Sequence, residues 1–117
     1  MKLTTLKANE HLDQLVKSLN GGSLRLFEGK NLLAEVRLAD NAFGKADNRQ
    51  AVANEILSDP DARASGKADN FVLMTAAGEA VGEGSVGLTG TTADLQLKNV
   101  EIIKHAEFVV DSFTLEA

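Results

Sequence analysis

The hydrophobic pattern of the chain changes once, at Asn20-Gly21-Gly22. Before this point, one helix face with the spacing i, i+3, i+4 and i+7 is formed by Leu12, Leu15, Val16 and Leu19. The polar residues on the other side of this helix are Asp13, Gln14, Lys17 and Ser18. The spacing predicts a helix over residues 5–19, which ends where Asn and Gly tolerate a left-handed backbone. Because an isolated helix of this length is only marginally stable, the apolar face is a possible packing or interaction face. We expect it to pack on its own domain, and the alternative is a neighbouring chain.

Beyond residue 22, apolar positions follow the two-residue period of strands, in short runs separated by turn residues. The clearest run alternates from Leu32 to Leu38, with Leu33, Glu35 and Arg37 on the opposite face. Residues 50–57 fit helix or strand, and the turn at residues 58–61 directly after them favours a strand. The predicted strands cover residues 23–27, 32–38, 50–57, 71–75, 80–88, 94–97, 100–103 and 107–115.

The segments between these strands predict how they are joined. Residues 71–75 and 80–88 form a predicted hairpin, and residues 40–48 form a predicted loop with Phe43 turned inward. Small residues at every second position from 62 to 68 would let another layer approach closely. About eight short strands at regular spacing indicate a mainly β fold, a jelly-roll-like β-sandwich with one N-terminal helix. We predict that residues 1–117 form a single domain.

Composition and charge restrict the partners. The chain has 117 residues, of which 44% are hydrophobic, and its net charge is −5. Because affinity for nucleic acid depends on Lys and Arg that neutralise phosphates, we expect no nucleic-acid partner. Residues 1–7 lack the apolar core of a signal peptide, and no run approaches the roughly 20 apolar residues of a membrane helix. We therefore expect a protein made in the cytoplasm without a membrane partner.

Few residues have the spacing of a catalytic or metal site. Residues 82–87 match G-x-G-x-x-G, but the dinucleotide fingerprint requires a helix directly after the glycines, and a loop and a strand are predicted there. His11 and His105 are isolated, cysteine is absent, and no G-x-S-x-G elbow occurs. We predict no catalytic residue, no cofactor, no metal and no enzymatic activity. Turn chemistry accounts for the loop carboxylates of Asp40, Asp47, Asp59, Asp61 and Asp69.

Seven short segments are informative in their order along the chain. They are GSLRL (22–26), LLAEV (32–36), AFG (42–44), VANEI (52–56), GSVG (84–87), DLQL (94–97) and VVDSFTL (109–115). In this order they resemble small virion structural proteins of tailed phages and prophages, of the head decoration or cement type. The resemblance implies a jelly-roll-like domain that binds the outside of an icosahedral head and stabilises it, with no catalytic residue to transfer.

From this resemblance we expect a virion protein, assembled in the bacterial host cytoplasm, whose partner is the major capsid protein or another virion protein. Sandwich edges must be paired or covered, so we also expect a homo-oligomer, a dimer or trimer. An alternative is a tail-associated β-sandwich module that binds a cell-surface ligand, and the absence of Trp and Tyr argues against it. A third is a small cupin-like barrel enzyme, for which two distant histidines supply too few metal ligands.

Overall fold

The structure, a computed structural model, describes residues 4–116. Helix α1 spans Thr5–Ser18, and the Thr4 hydroxyl caps its start by accepting a hydrogen bond from the Lys7 N–H, with 3.3 Å between Oγ1 and N. After the helix, Gly21 takes the left-handed conformation (φ +68°) that the sequence predicts for the stop. The predicted helix over residues 5–19 is confirmed, with Leu19 as its C-cap.

Ten strands follow within the described residues, so the fold is mainly β, as predicted. About 42% of the chain is strand and 12% is helix. The strands are β1 (Ser23–Glu28), β2 (Asn31–Leu38), β3 (Gln50–Val52), β4 (Ile56–Leu57), β5 (Gly66–Lys67), β6 (Asn70–Met74), β7 (Ala80–Leu88), β8 (Leu95–Leu97), β9 (Glu101–Ile102) and β10 (Thr114–Glu116).

Six of the strands form one sheet in the order β4-β2-β1-β6-β7-β8. Neighbours in this sheet are antiparallel, except that β8 runs parallel to the end of β7. The predicted hairpin of β6 and β7 is confirmed, with its turn at residues 75–79. Two small sheets, β10-β3 and β5-β9, complete an arrangement consistent with a β-sandwich that carries one N-terminal helix.

A bulge in β2 changes the predicted alternation. Leu26 pairs with Ala34 and Phe27 pairs with Leu32, so Leu33 is the extra residue. The sequence predicts Leu33 on the face opposite Ala34, yet both side chains are buried. Leu33 is covered by the small-residue segment at 62–68, where a Cβ on Gly66 would lie 3.0 Å from Leu33 Cδ2. The predicted close approach of another layer is therefore confirmed at Gly66.

Three predicted strands are shorter in the structure than the pattern suggests. Residues 50–57 divide into β3 and β4, and of residues 100–103 only β9 is paired. In residues 107–115 only β10 forms a ladder, while Phe108 makes a single bridge with Asp59. The side chains of Phe108, Val110 and Phe113 are nevertheless buried. Burial of apolar side chains alone therefore does not supply a neighbouring strand for the backbone.

The core of the described chain consists of apolar side chains. Phe113 lies at its centre, with its ring centroid 5.4 Å from that of Phe71 and 6.2 Å from that of Phe43, both in edge-to-face geometry. The inward orientation predicted for Phe43 is thus confirmed. Phe27 is only half-buried, because the alternation of β1 places it on the face opposite the buried Leu24 and Leu26.

Helix α1 packs on this core through the predicted apolar face and through polar side chains beside it. Leu12, Val16 and Leu19 are buried in the main cluster. Asp13, predicted to lie on the polar face, instead accepts a hydrogen bond from the Ala46 N–H, with 2.7 Å between Oδ1 and N. The carbonyl oxygens of the Asn9 and Asn20 side chains accept from the N–H groups of Arg49 and Ala42 in the same way. The helix therefore holds the loop at residues 42–49 in place.

Candidate interaction groove

A groove lies between α1, the sheet and the C-terminal segment. Its volume is about 570 Å³. We call it the β7 groove, because residues 81–83 of β7 form one of its edges. The remaining lining comes from Leu15 of α1, Phe71 and Leu73 of β6, residues 92–96, and residues 112–115.

Glycine residues in β7 make the space for this groove. Gly82 pairs with Leu73 and Gly84 pairs with Phe71, so any side chains there would point to the same face as these two apolar residues. A Cβ on Gly84 would lie 2.6 Å from the Phe71 ring, so that position is already filled. A Cβ on Gly82 would meet only Leu73 Cδ1, at 3.6 Å. The open volume therefore lies next to Gly82, above the apolar floor.

The backbone of β7 is open along this groove. The Val86 N–H donates to the Asp69 carbonyl, which lies on the β6 side. Because successive residues direct their backbone groups to opposite edges of a strand, those of Ser85 and Glu83 point away from β6. The Ser85 N–H accordingly reaches Asp94 Oδ2 at 3.0 Å. Pairing with β8 begins only at Val86, so within the described residues Glu83 faces the groove without a neighbouring strand.

The groove carries negative charge. Among the described residues that line it, the charged ones are Glu83 and Asp94, and both are acidic. Asp94 is held in place, since it also accepts from the Ser85 hydroxyl and the Asp94 N–H donates back to that hydroxyl at 3.0 Å. Glu83 is exposed at the open edge. The combination of an apolar floor, a free strand edge and carboxylates suits an extended peptide better than a small polar ligand.

The predicted helix face is divided by the structure. Leu12, Val16 and Leu19 serve as packing residues, with 2%, 7% and 0% of their surface exposed. Leu15 is only half-buried and lines the β7 groove, so it is the one member of this face that a partner could contact there. The sequence prediction did not find the groove itself. The sequence signal of the groove was the pair of alternating glycines, Gly82 and Gly84, which was considered only as part of a nucleotide motif.

The other sequence candidates lie on β7 itself or away from the groove. The G-x-G-x-x-G residues lie in β7, which continues into a turn and not into a helix. His11 is exposed on α1, and His105 lies in a turn with Nδ1 2.8 Å from Asp61 Oδ1. Asp59 accepts a hydrogen bond from the Asp61 N–H within its own turn, as predicted, and another from the Glu35 N–H of β2. Asp69 instead accepts from the Gly29 N–H, in a turn 40 residues away in the chain. Across residues 4–116, no three His, Asp or Glu side chains are grouped so that they could hold a metal ion.

No helix of the described chain has the length and apolar character needed to cross a membrane. A comparison with protein-family models gave no match, and comparisons with curated proteins and with solved structures gave none either.

Proposed function

We propose that this protein is a virion structural protein of a tailed phage or prophage, of the decoration type that binds the outside of the head and stabilises it. The proposal rests on the order of sequence segments given above and on the kind of surface that the fold presents. It includes the major capsid protein as partner and the virion as location.

The observation that carries the proposal is the distribution of exposed apolar side chains. A protein that ties capsomers together must contact several neighbours at once, and weak contacts repeated around a shell gain strength from multivalency. Large apolar side chains that are half exposed or nearly so occur in the helix, in four different parts of the β domain and in the C-terminal segment. They are Leu6, Val52, Leu57, Leu88, Ile103 and Val109.

Two further features support the same role. The outer strands of the six-stranded sheet, β4 and β8, are only two and three residues long, and Leu57 is exposed on β4. Strands this short offer little backbone for strand pairing. Contacts with a capsid protein or with another copy, as in the expected dimer or trimer, would instead use exposed apolar side chains such as Leu57. The net charge of −5 suits the outside of a head, because an acidic protein would be repelled by packaged DNA.

Detection in particles tests the proposal. Bacteria that carry the gene would be induced to release particles, and density-purified particles would be analysed by mass spectrometry and by immunogold labelling with antibodies against the recombinant protein. We expect many copies per particle and gold on the heads. Gold on the tails would support the tail-associated alternative instead. Absence from purified particles, with the protein present in the lysate, would contradict any virion role.

A further inference from the structure

We propose that the β7 groove binds an extended segment of a partner protein, which adds as a short strand beside β7 and carries a basic residue between two apolar residues. The inference rests on the geometry of the groove alone and holds whether or not the protein belongs to a virion. It assigns a binding mode and a ligand chemistry to this surface.

The backbone argument concerns Glu83. Its N–H and C=O point away from β6, and β8 begins too late along β7 to pair with them. A strand placed in the groove would accept from this N–H and donate to this C=O, as in strand addition to a sheet edge. The site is short, because β7 pairs with Asp94 and β8 from Ser85 onward and has a bulge near Val81. About three to five ligand residues fit such an edge, at roughly 3.3 Å per residue.

The side-chain argument concerns the two faces of the added strand. Side chains that flank the central ligand residue would point to the face of Gly82, where the missing side chain leaves space. The apolar surface that a ligand can reach there comes from the half-buried Leu15, Val81 and Leu115, because Phe71 and Leu73 beneath them are each only 3% exposed. Apolar side chains fit these walls. The central side chain would point to the opposite face, beside the exposed carboxylate of Glu83, where a Lys or Arg is favoured. The expected ligand pattern is therefore apolar, basic, apolar.

The charge of the groove also favours a partner segment over a second copy of this chain. A second copy that pairs its own β7 in the groove across a two-fold axis would bring two Glu83 carboxylates near each other, and like charges opposite each other destabilise a strand pair. The lining carboxylates, Glu83 and Asp94, instead complement a cationic segment. We therefore assign the groove to a partner segment and not to a second copy.

Peptide titration tests the inference directly. The probe is acetyl-Thr-Val-Lys-Val-Thr-amide, added to the ¹⁵N-labelled full-length protein and followed by amide NMR shifts. We expect shifts centred on Glu83 and on residues 113–115, and binding about fivefold or more weaker when Glu replaces the central Lys. Two further peptides carry N-methyl groups, one on the backbone nitrogen of Lys and the other on the backbone nitrogens of both Val residues. Because successive backbone N–H groups point to opposite edges of a strand, each of these peptides lacks the hydrogen-bond donors of one edge only. One of these two peptides should lose binding and the other should keep it.

Two variants of the groove locate the binding site, and the charge variant has a matched control. Gly82→Val should fill the groove and abolish peptide binding while the thermal midpoint stays the same or rises, because a Cβ at this position makes only an ordinary contact. Glu83→Lys should weaken binding about fivefold or more. Glu55→Lys makes the same change in net charge at an exposed residue outside the groove, and it should leave binding within about twofold because salt screens distant charges.

Three results would overturn the inference. The first is equal binding of the Lys and Glu peptides, or of the two N-methylated peptides. The second is unchanged binding by a folded Gly82→Val variant. The third is a dimer in light scattering that Gly82→Val abolishes, without any peptide binding, which would assign the groove to a second copy. Failure of the particle experiment alone would leave these measurements unaffected, so the two proposals are tested separately.

Discussion

At the scale of single residues, the attachment of the helix depends on polar side chains beside the apolar stripe. Asn9 and Asp13 are four residues apart and so lie on one side of α1, where they accept from the N–H groups of Arg49 and Ala46. The loop they hold contains a tight turn closed by Asp47 and Gln50, with Asn48 and Arg49 at φ values of 49° and 63°. These bonds tie the loop to α1, in addition to its backbone hydrogen bonds with Val52 and Asn54.

The first prediction at this scale concerns Asp13. Asp13→Ala leaves the partly buried Ala46 N–H without its acceptor, and we expect a loss of about 1–3 kcal/mol in the free energy of unfolding. Circular dichroism in a urea titration measures it, since the chain has neither Trp nor Tyr for fluorescence. Gln14→Ala is the control at an exposed neighbour and should change the free energy by less than about 0.5 kcal/mol. Equal effects of the two substitutions would contradict the role of Asp13.

The residues that sequence reasoning misplaced share one physical cause. Asp13 lies next to the apolar stripe, and periodicity cannot tell whether such a position meets solvent or a loop that is 33 residues away in the chain. Leu33 was predicted on the same face as Glu35 and Arg37, yet it is buried because the segment at residues 62–68 covers it, and nothing in β2 itself marks the bulge. Local pattern predicts which side chains are buried better than it predicts their partners.

At the scale of elements, α1 belongs to the core of its own domain. Three of its four stripe residues are buried among strand residues, and only Leu15 remains accessible in the β7 groove. The period of 3.6 residues and the glycines after it were enough to predict the helix and its end. The strand ladders were less predictable: residues 80–88 form a full strand, whereas residues 107–115 form a ladder only at their end, in β10.

The groove could not have been predicted from the sequence for a related reason. It needs the glycines of β7, the floor from β6 and the wall from residues 112–115, and these come together only through the order of strands in the sheet. The apolar stripe of α1 includes one groove residue, Leu15, but the spacing of the stripe does not distinguish this accessible residue from its buried neighbours.

The prediction at this scale compares two leucines of the same helix. Leu12→Ala removes a side chain that is 2% exposed, and we expect it to cost about 2–5 kcal/mol in the free energy of unfolding. Leu15→Ala removes a half-buried side chain at the edge of the groove and should cost about 1–2 kcal/mol. Both are measured in urea by circular dichroism. A cost for Leu12→Ala no larger than that for Leu15→Ala would contradict the packing of α1 described above.

At the scale of the whole molecule, the protein is a compact β domain of 42 × 29 × 22 Å with apolar side chains exposed on several sides. It combines a core in which every buried side chain of the described residues is apolar with a net charge of −5. Apolar side chains exposed on several sides suit the proposed contacts on a shell, where each contact is weak and the array is strong. In this proposal the β7 groove is one specific site beside them.

The central claim is that the protein stabilises a phage head from outside, and the temperature at which heads release their DNA tests it most directly. Heads from particles that lack the gene would be heated with a DNA-binding dye, alone and after addition of the recombinant protein. We predict that the deletion lowers the release temperature and that added protein restores it, because a partner that binds only the intact shell shifts its stability by mass action. An unchanged release temperature after both the deletion and the addition would contradict the claim.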